Sequence, residues 1–99
     1  SGMGATLNVG VGMGAYVMTD RATWIAFRNK ADFKVLVDGD KALFNQYGVI
    51  TVSRQKCPKV RAASAETFSA WLRSAAGQAA IAAYRRDGQQ LFFPNAGAE

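Results

Sequence analysis

Ala15-Tyr-Val-Met-Thr-Asp-Arg-Ala-Thr-Trp-Ile-Ala-Phe-Arg28 changes character at its centre. Ala15 to Met18 is short, apolar and partly β-favouring, and reads as a strand. Thr19 and Asp20 follow as natural helix N-cap residues, because their side-chain oxygens can accept from backbone N–H groups that a first helical turn leaves unpaired. Trp24, Ile25 and Phe27 then make a short helix over Thr23 to Arg28 that stops near Asn29-Lys30. A strand running straight into a helix is the building unit of an α/β domain.

Upstream, Met3, Leu7 and Val11 recur every four residues, which suits a helix face. Gly10, Gly12 and Gly14 work against it, each costing about 1 kcal/mol relative to Ala. Gly10-Val-Gly-Met-Gly14 invites comparison with a phosphate-cradling loop, but it lacks a preceding strand, the full GxGxxG spacing and a Lys-Ser/Thr ending. A helix ending in a flexible turn is the simpler reading.

Downstream, Phe33, Val35 and Val37 alternate with Lys34, Leu36 and Asp38, a strand that ends at the Asp38-Gly39 turn. Leu43 to Val52, which holds Tyr47, Val49, Ile50, Thr51 and Val52, reads as a second strand, with Gly48 at a bend or a close backbone approach. Ser53 to Ala62 is basic, polar and broken by Pro58. Ser64 is placed to cap a helix whose apolar face is Phe68, Trp71, Leu72 and Ala75. Ser74 can cap a further helix through Gln78, Ile81 and Tyr84, with Arg85 and Arg86 at its cation-favouring C-terminal end. Asp87-Gly88 is a turn, Leu91 to Phe93 an apolar stretch stopped by Pro94, and Ala96 to Glu99 should fray. The order helix–strand–helix–strand–strand–helix–helix is α/β.

The 99 residues contain 49% hydrophobic and 19% charged side chains, which is ordinary for a globular chain and unlike a disordered one. With no His and one Cys, the chain builds no intrachain disulfide, no zinc site and no His-based triad of its own. Cys57 has basic neighbours in Lys56 and Lys59 but no partner base, so it does not read as a catalytic thiol. Asp38 and Asp40 flank Gly39; without further oxygen ligands they read as a polar turn rather than a cation site or an acid–base pair. No cofactor and no catalytic residue is expected. No apolar run approaches bilayer length. The net charge of +5 attracts anions, whether nucleic acid, acidic membrane or a small oxyanion. The basic residues form no run longer than two, so a small basic nucleic-acid-binding domain stands as the alternative reading. Trp24, Trp71, Phe92 and Phe93 read as packing residues ahead of a base-stacking surface.

Six segments occur in an order that resembles the periplasmic tungstate-binding proteins of bacterial ABC transporters: Gly2-Met-Gly-Ala-Thr-Leu-Asn8, Ala15-Tyr-Val-Met-Thr-Asp-Arg21, Val37-Asp-Gly-Asp40, Leu43-Phe-Asn-Gln-Tyr-Gly-Val-Ile50, Gly77-Gln78 and Asp87-Gly-Gln-Gln-Leu-Phe-Phe-Pro-Asn-Ala96. The resemblance covers essentially the whole chain. It implies an α/β fold, the C-terminal portion of a periplasmic binding protein type II-like fold, in which two lobes hold an anion in the cleft between them. It also implies a periplasmic, non-enzymatic role: binding tungstate, or molybdate, and delivering it to the membrane permease. Residues 1–42 would then be part of the second ligand-binding lobe, 43–52 the hinge and returning strand, and 53–99 the C-terminal part of the first lobe. The glycines of Gly10 to Gly14 depart from the family's more helical, polar pattern.

Within that frame the ligand-binding candidates are Tyr16, Thr19 and Arg21. An oxyanion is held by hydroxyls, by N–H groups at a helix start and by a cation, and Thr19-Asp20-Arg21 offers all three. The competing reading has Thr19 capping the helix and Asp20 paired with Arg21 or with the helix dipole. Part of a cleft should bind tungstate weakly or not at all. It should also leave apolar faces open around Val35 and Val37 and around Val49, Ile50 and Val52 with Leu91 to Phe93, which predicts a homo-oligomer, most simply a two-fold dimer.

Overall fold

The computed structural model describes residues 2–97, in the order helix, helix, 3₁₀ turn, helix, helix, hairpin. Helix α1 spans Met3–Met13 and α2 spans Arg21–Ala26. After the 3₁₀ turn Lys41–Leu43 come α3, Ala62–Arg73, and α4, Ala75–Ala83. Strands β1 (Arg85–Arg86) and β2 (Gln89–Gln90) pair antiparallel, Arg85 opposite Gln90. The expected fraying of Ala98 and Glu99 lies outside the described residues; Ala96 and Gly97 form a turn.

Helix α1 runs through Gly10 and Gly12 and ends at Gly14. Gly14 is left-handed at φ 64°, its N–H donates to the Val11 carbonyl at 3.1 Å, and the Ala15 N–H donates to Gly10 at 2.9 Å. This two-bond termination pairs carbonyls that the helix end would otherwise leave unpaired. Gly10 is tolerated because Val17 folds back over it: a Cβ there would lie 2.8 Å from Val17 Cβ. Gly12 has open space around it. Gly12→Ala is therefore expected to raise stability by about 1 kcal/mol through helix propensity. Gly10→Ala is expected to lower it by about 1 kcal/mol, the overpacking against Val17 outweighing the same gain. Paired thermal melts check both.

Helix α1 packs on α2, with Leu7 fully buried and Ile25 and Leu91 nearly so. Helices α3 and α4 form a second packed pair. Ser74 caps α4 as expected, accepting from Gly77 N–H at 3.1 Å. Ser64 does not cap α3. The cap lies three residues earlier, at Arg61, because Ala62 and Ala63 are strong helix formers.

Three expected strands do not form. Ala15 to Met18, Phe33 to Val37 and Leu43 to Val52 lie outside any ladder, and Leu43 belongs to the 3₁₀ turn. Their side chains favour strands, but a strand needs a hydrogen-bonded neighbour, and the described residues supply none. The ladder that does form is at Arg85–Gln90, where a helix C-terminus was expected. Asp87 (φ 52°) and Gly88 (φ 74°) both take the left-handed conformations of a tight hairpin turn. Every residue from Lys34 to Lys59 is exposed.

The segment after the hairpin ties the parts together. The Gln90 carbonyl accepts from Arg21 Nε at 3.0 Å, and the Phe92 ring lies 5.7 Å from that of Tyr47. Asn95 and Gln46 exchange amide hydrogen bonds of 2.8 and 3.2 Å. The Ala96 N–H donates to Gln78 Oε1 at 2.9 Å, while Gln78 Nε2 donates to the Leu72 carbonyl at 2.8 Å. A few polar residues near the C-terminus thus reach α2, the central segment and α4.

Candidate functional site

The three residues singled out from sequence lie at and before the start of α2. Asp20 is the N-cap, with extended backbone (φ −80°, ψ 158°), so the helix begins at Arg21 as the Thr-Asp pair predicts. Its carboxylate makes no capping bond, and Asp20 Oδ1 is buried without a hydrogen-bond partner. The Thr19 hydroxyl donates to the Asp20 carbonyl at 3.1 Å and does not cap. Thr19→Ala is therefore expected to cost about 0.5 kcal/mol, one modest hydrogen bond, rather than the about 1 kcal/mol of a lost cap. A denaturant midpoint compared with that of the wild type checks it.

Tyr16 is 93% exposed, and its hydroxyl is open to solvent. Arg21 is held in one orientation by residues far along the chain. Its Nε donates to Gln90 and its guanidinium lies 5.4 Å over the Phe93 ring. The expected competitor, an Asp20–Arg21 ion pair, does not form. Among the described residues the ion pair is Arg28–Asp87, at 3.6 Å between exposed side chains. Arg21 thus keeps its charge uncompensated, with the two terminal nitrogens making no hydrogen bond among the described residues. A guanidinium anchored through Nε presents those nitrogens as a planar fork suited to two oxygens of an oxyanion.

Sequence reasoning missed the Gln90 carbonyl and the Phe93 ring that orient this arginine. No local pattern signals a contact across 69 positions. The other candidates resolve simply. Asp40 caps the 3₁₀ turn, accepting from Ala42 N–H at 2.8 Å, and Gly39 is left-handed, so Asp38-Gly-Asp40 is a polar turn. Among the described residues no cluster of three metal-ligating side chains occurs. Trp24 packs against Phe27 and under Lys30 Nζ, 4.9 Å from its ring. No described helix is long and apolar enough to cross a membrane.

Comparison with known proteins places these residues among relatives. Residues 1–76 match the model of a PBP superfamily domain. The chain is 37% identical over 97 residues to the tungstate-binding protein TupA of Peptoclostridium acidaminophilum, covering 96% of this chain and 34% of that protein. It is 40% identical over 100 residues to a Haloferax volcanii protein provisionally described as an ABC transporter anion-binding protein, covering 96% of this chain and 29% of that protein. The chain spans about a third of the length of these curated relatives. No solved structure matches.

Proposed function

The chain belongs to the PBP superfamily, and from that membership we propose that it forms part of an oxyanion-binding component that serves an ABC transporter. The ligand class is a tetrahedral dianion, tungstate or molybdate. The role is binding and delivery to a membrane permease outside the cytoplasm, in the periplasm of a double-membraned cell, without catalysis. The tungstate-binding and anion-binding relatives support the ligand class and the transporter. The observation on this chain that carries the reading is Arg21: an oriented guanidinium, unpaired with any carboxylate among the described residues, at the start of α2 and close in sequence to Thr19 and Tyr16.

In this reading Tyr16, Thr19 and Arg21 supply one wall of a cleft. Residues 1–42 belong to one lobe, 43–52 to the connection and 53–99 to the other lobe. One wall leaves part of the anion solvated, so affinity is weaker than micromolar. Asp20 Oδ1, buried and unpaired, opposes a dianion and lowers affinity further.

Isothermal titration with tungstate, alongside single-stranded DNA at two salt concentrations, tests the proposal. Weak saturable heat with tungstate, and no steeply salt-dependent DNA binding, is the expected result. Micromolar or tighter tungstate affinity for the monomer would overturn the single-wall reading. A steep salt slope with DNA would favour a nucleic-acid partner.

A further inference from the structure

We propose that residues 90–96 form a strap that holds the Arg21 guanidinium in its binding orientation, with Phe93 and the Gln46–Asn95 amide pair as positioning residues. The inference rests on the oxyanion reading of Arg21.

An arginine side chain is rich in rotamers, and an anion that must first order it binds more weakly than one that finds it ordered. The contacts that order Arg21 come from the strap. Its Nε donates to the Gln90 carbonyl at 3.0 Å, and the guanidinium carbon lies 5.4 Å from the Phe93 ring centroid. The hydrogen bond fixes one edge of the planar group, and the ring fixes where its charge lies. The other link between the C-terminal hairpin and the neighbourhood of α2 is the Arg28–Asp87 pair, a 3.6 Å contact between exposed side chains. Such pairs contribute little, so the strap carries the hold.

The strap is pinned on both sides of Phe93. At its start, Gln90 pairs with Arg85 across the hairpin, its Nε2 donates to the Phe92 carbonyl at 2.8 Å, and Leu91 is buried. At its end, Asn95 and Gln46 face each other amide to amide, Asn95 Nδ2 donating at 2.8 Å and Gln46 Nε2 at 3.2 Å. The Ala96 N–H donates to Gln78 Oε1 at 2.9 Å. Residues 91–95 belong to no helix or strand, so these bonds set the course of the segment. Pro94 stands between Phe93 and Asn95. Its ring locks its own φ and restricts Phe93 to extended backbone, so a displacement of Asn95 is carried to the Phe93 ring rather than absorbed on the way. The partners that hold Arg21 are Gln90 and Phe93, not Gln46 or Asn95. An effect of the amide pair on anion affinity therefore travels through the strap.

Two readouts test this: solvent exchange at the Arg21 Nε–Hε resonance, assigned by its loss in Arg21→Ala, and tungstate affinity by titration. Phe93→Leu and Asn95→Ala should each speed Hε exchange by about twofold or more, and weaken tungstate binding about two- to fivefold, the range of an exposed cation–π contact. Helicity should not change, because both residues lie outside the helices. Phe93→Tyr keeps the ring and should keep wild-type values. Exchanging the two amides, Gln46→Asn with Asn95→Gln, keeps the pair and should restore what Asn95→Ala loses. Unchanged Hε exchange in both variants, or a loss that the amide exchange does not restore, would overturn the strap. So would faster Hε exchange with undiminished tungstate affinity, since the orientation would then play no part in binding. A wild-type chain that binds no tungstate would sink the oxyanion reading, and Hε exchange would still decide whether the strap holds Arg21.

Discussion

Gly77→Ala is expected to unfold the α3–α4 pair, at a cost of about 3 kcal/mol or more. Arg73 ends α3, and Ser74 turns the chain directly into α4 with no intervening loop. The turn is tight because the Trp71 carbonyl accepts from both the Ser74 N–H and the Ser74 hydroxyl, while the Ser74 oxygen accepts from Gly77 N–H. Gly77 therefore sits on backbone. A Cβ there would fall on the Trp71 carbonyl oxygen, 2.8 Å from its carbon and 2.9 Å from Leu72 Cα. Backbone cannot rotate away as a side-chain tip can, so relief requires the cap and the Gln78–Leu72 bond to break. Far-UV circular dichroism with a thermal melt reads the outcome. The expected variant loses helicity and melts well below the wild type, while Ser74→Ala loses only about 1 kcal/mol. An unchanged melt for Gly77→Ala would show that this junction opens freely.

Arg21→Ala is expected to reduce oxyanion affinity at least tenfold, since a charge-assisted fork contributes about 1.5–3 kcal/mol. It should also loosen the C-terminal tie, because the same side chain donates to Gln90 and lies over Phe93. Arg21→Lys separates the two effects. It keeps the charge but loses both Nε and the planar fork. Anion binding should therefore fall less than in Arg21→Ala, while amide hydrogen exchange of Leu91 to Phe93 should speed up in both variants. Unchanged anion affinity in Arg21→Ala would remove this residue from the binding wall.

What the sequence discloses is local. Thr19-Asp20 marks the start of α2, Ser74 the start of α4 and Asp87-Gly88 the hairpin turn, because capping and turn chemistry act within three or four residues. Glycine propensity misleads at Gly10 and Gly12. The price set on each glycine ignores the bonded termination at Gly14 and the Val17 side chain that needs Gly10 bare. The strand propensity of Val49 to Val52 is sound, but pairing is a relation between two segments, and one segment cannot disclose whether its neighbour is present. Membership of the PBP superfamily is legible because six ordered motifs share the chain. The orientation of Arg21 is not, since it depends on Gln90 and Phe93 arriving from the far end.

The central claim is that the Arg21-anchored start of α2 contacts a tetrahedral oxyanion. Titrating tungstate into the isotopically labelled chain, and following its amide resonances, tests this most directly. The account predicts saturable shifts confined to residues 16–23 and to Gln90–Phe93, with weaker-than-micromolar affinity, and their disappearance in Arg21→Ala. Shifts spread over Arg54 to Arg61, or none near Arg21 at saturating tungstate, would contradict it.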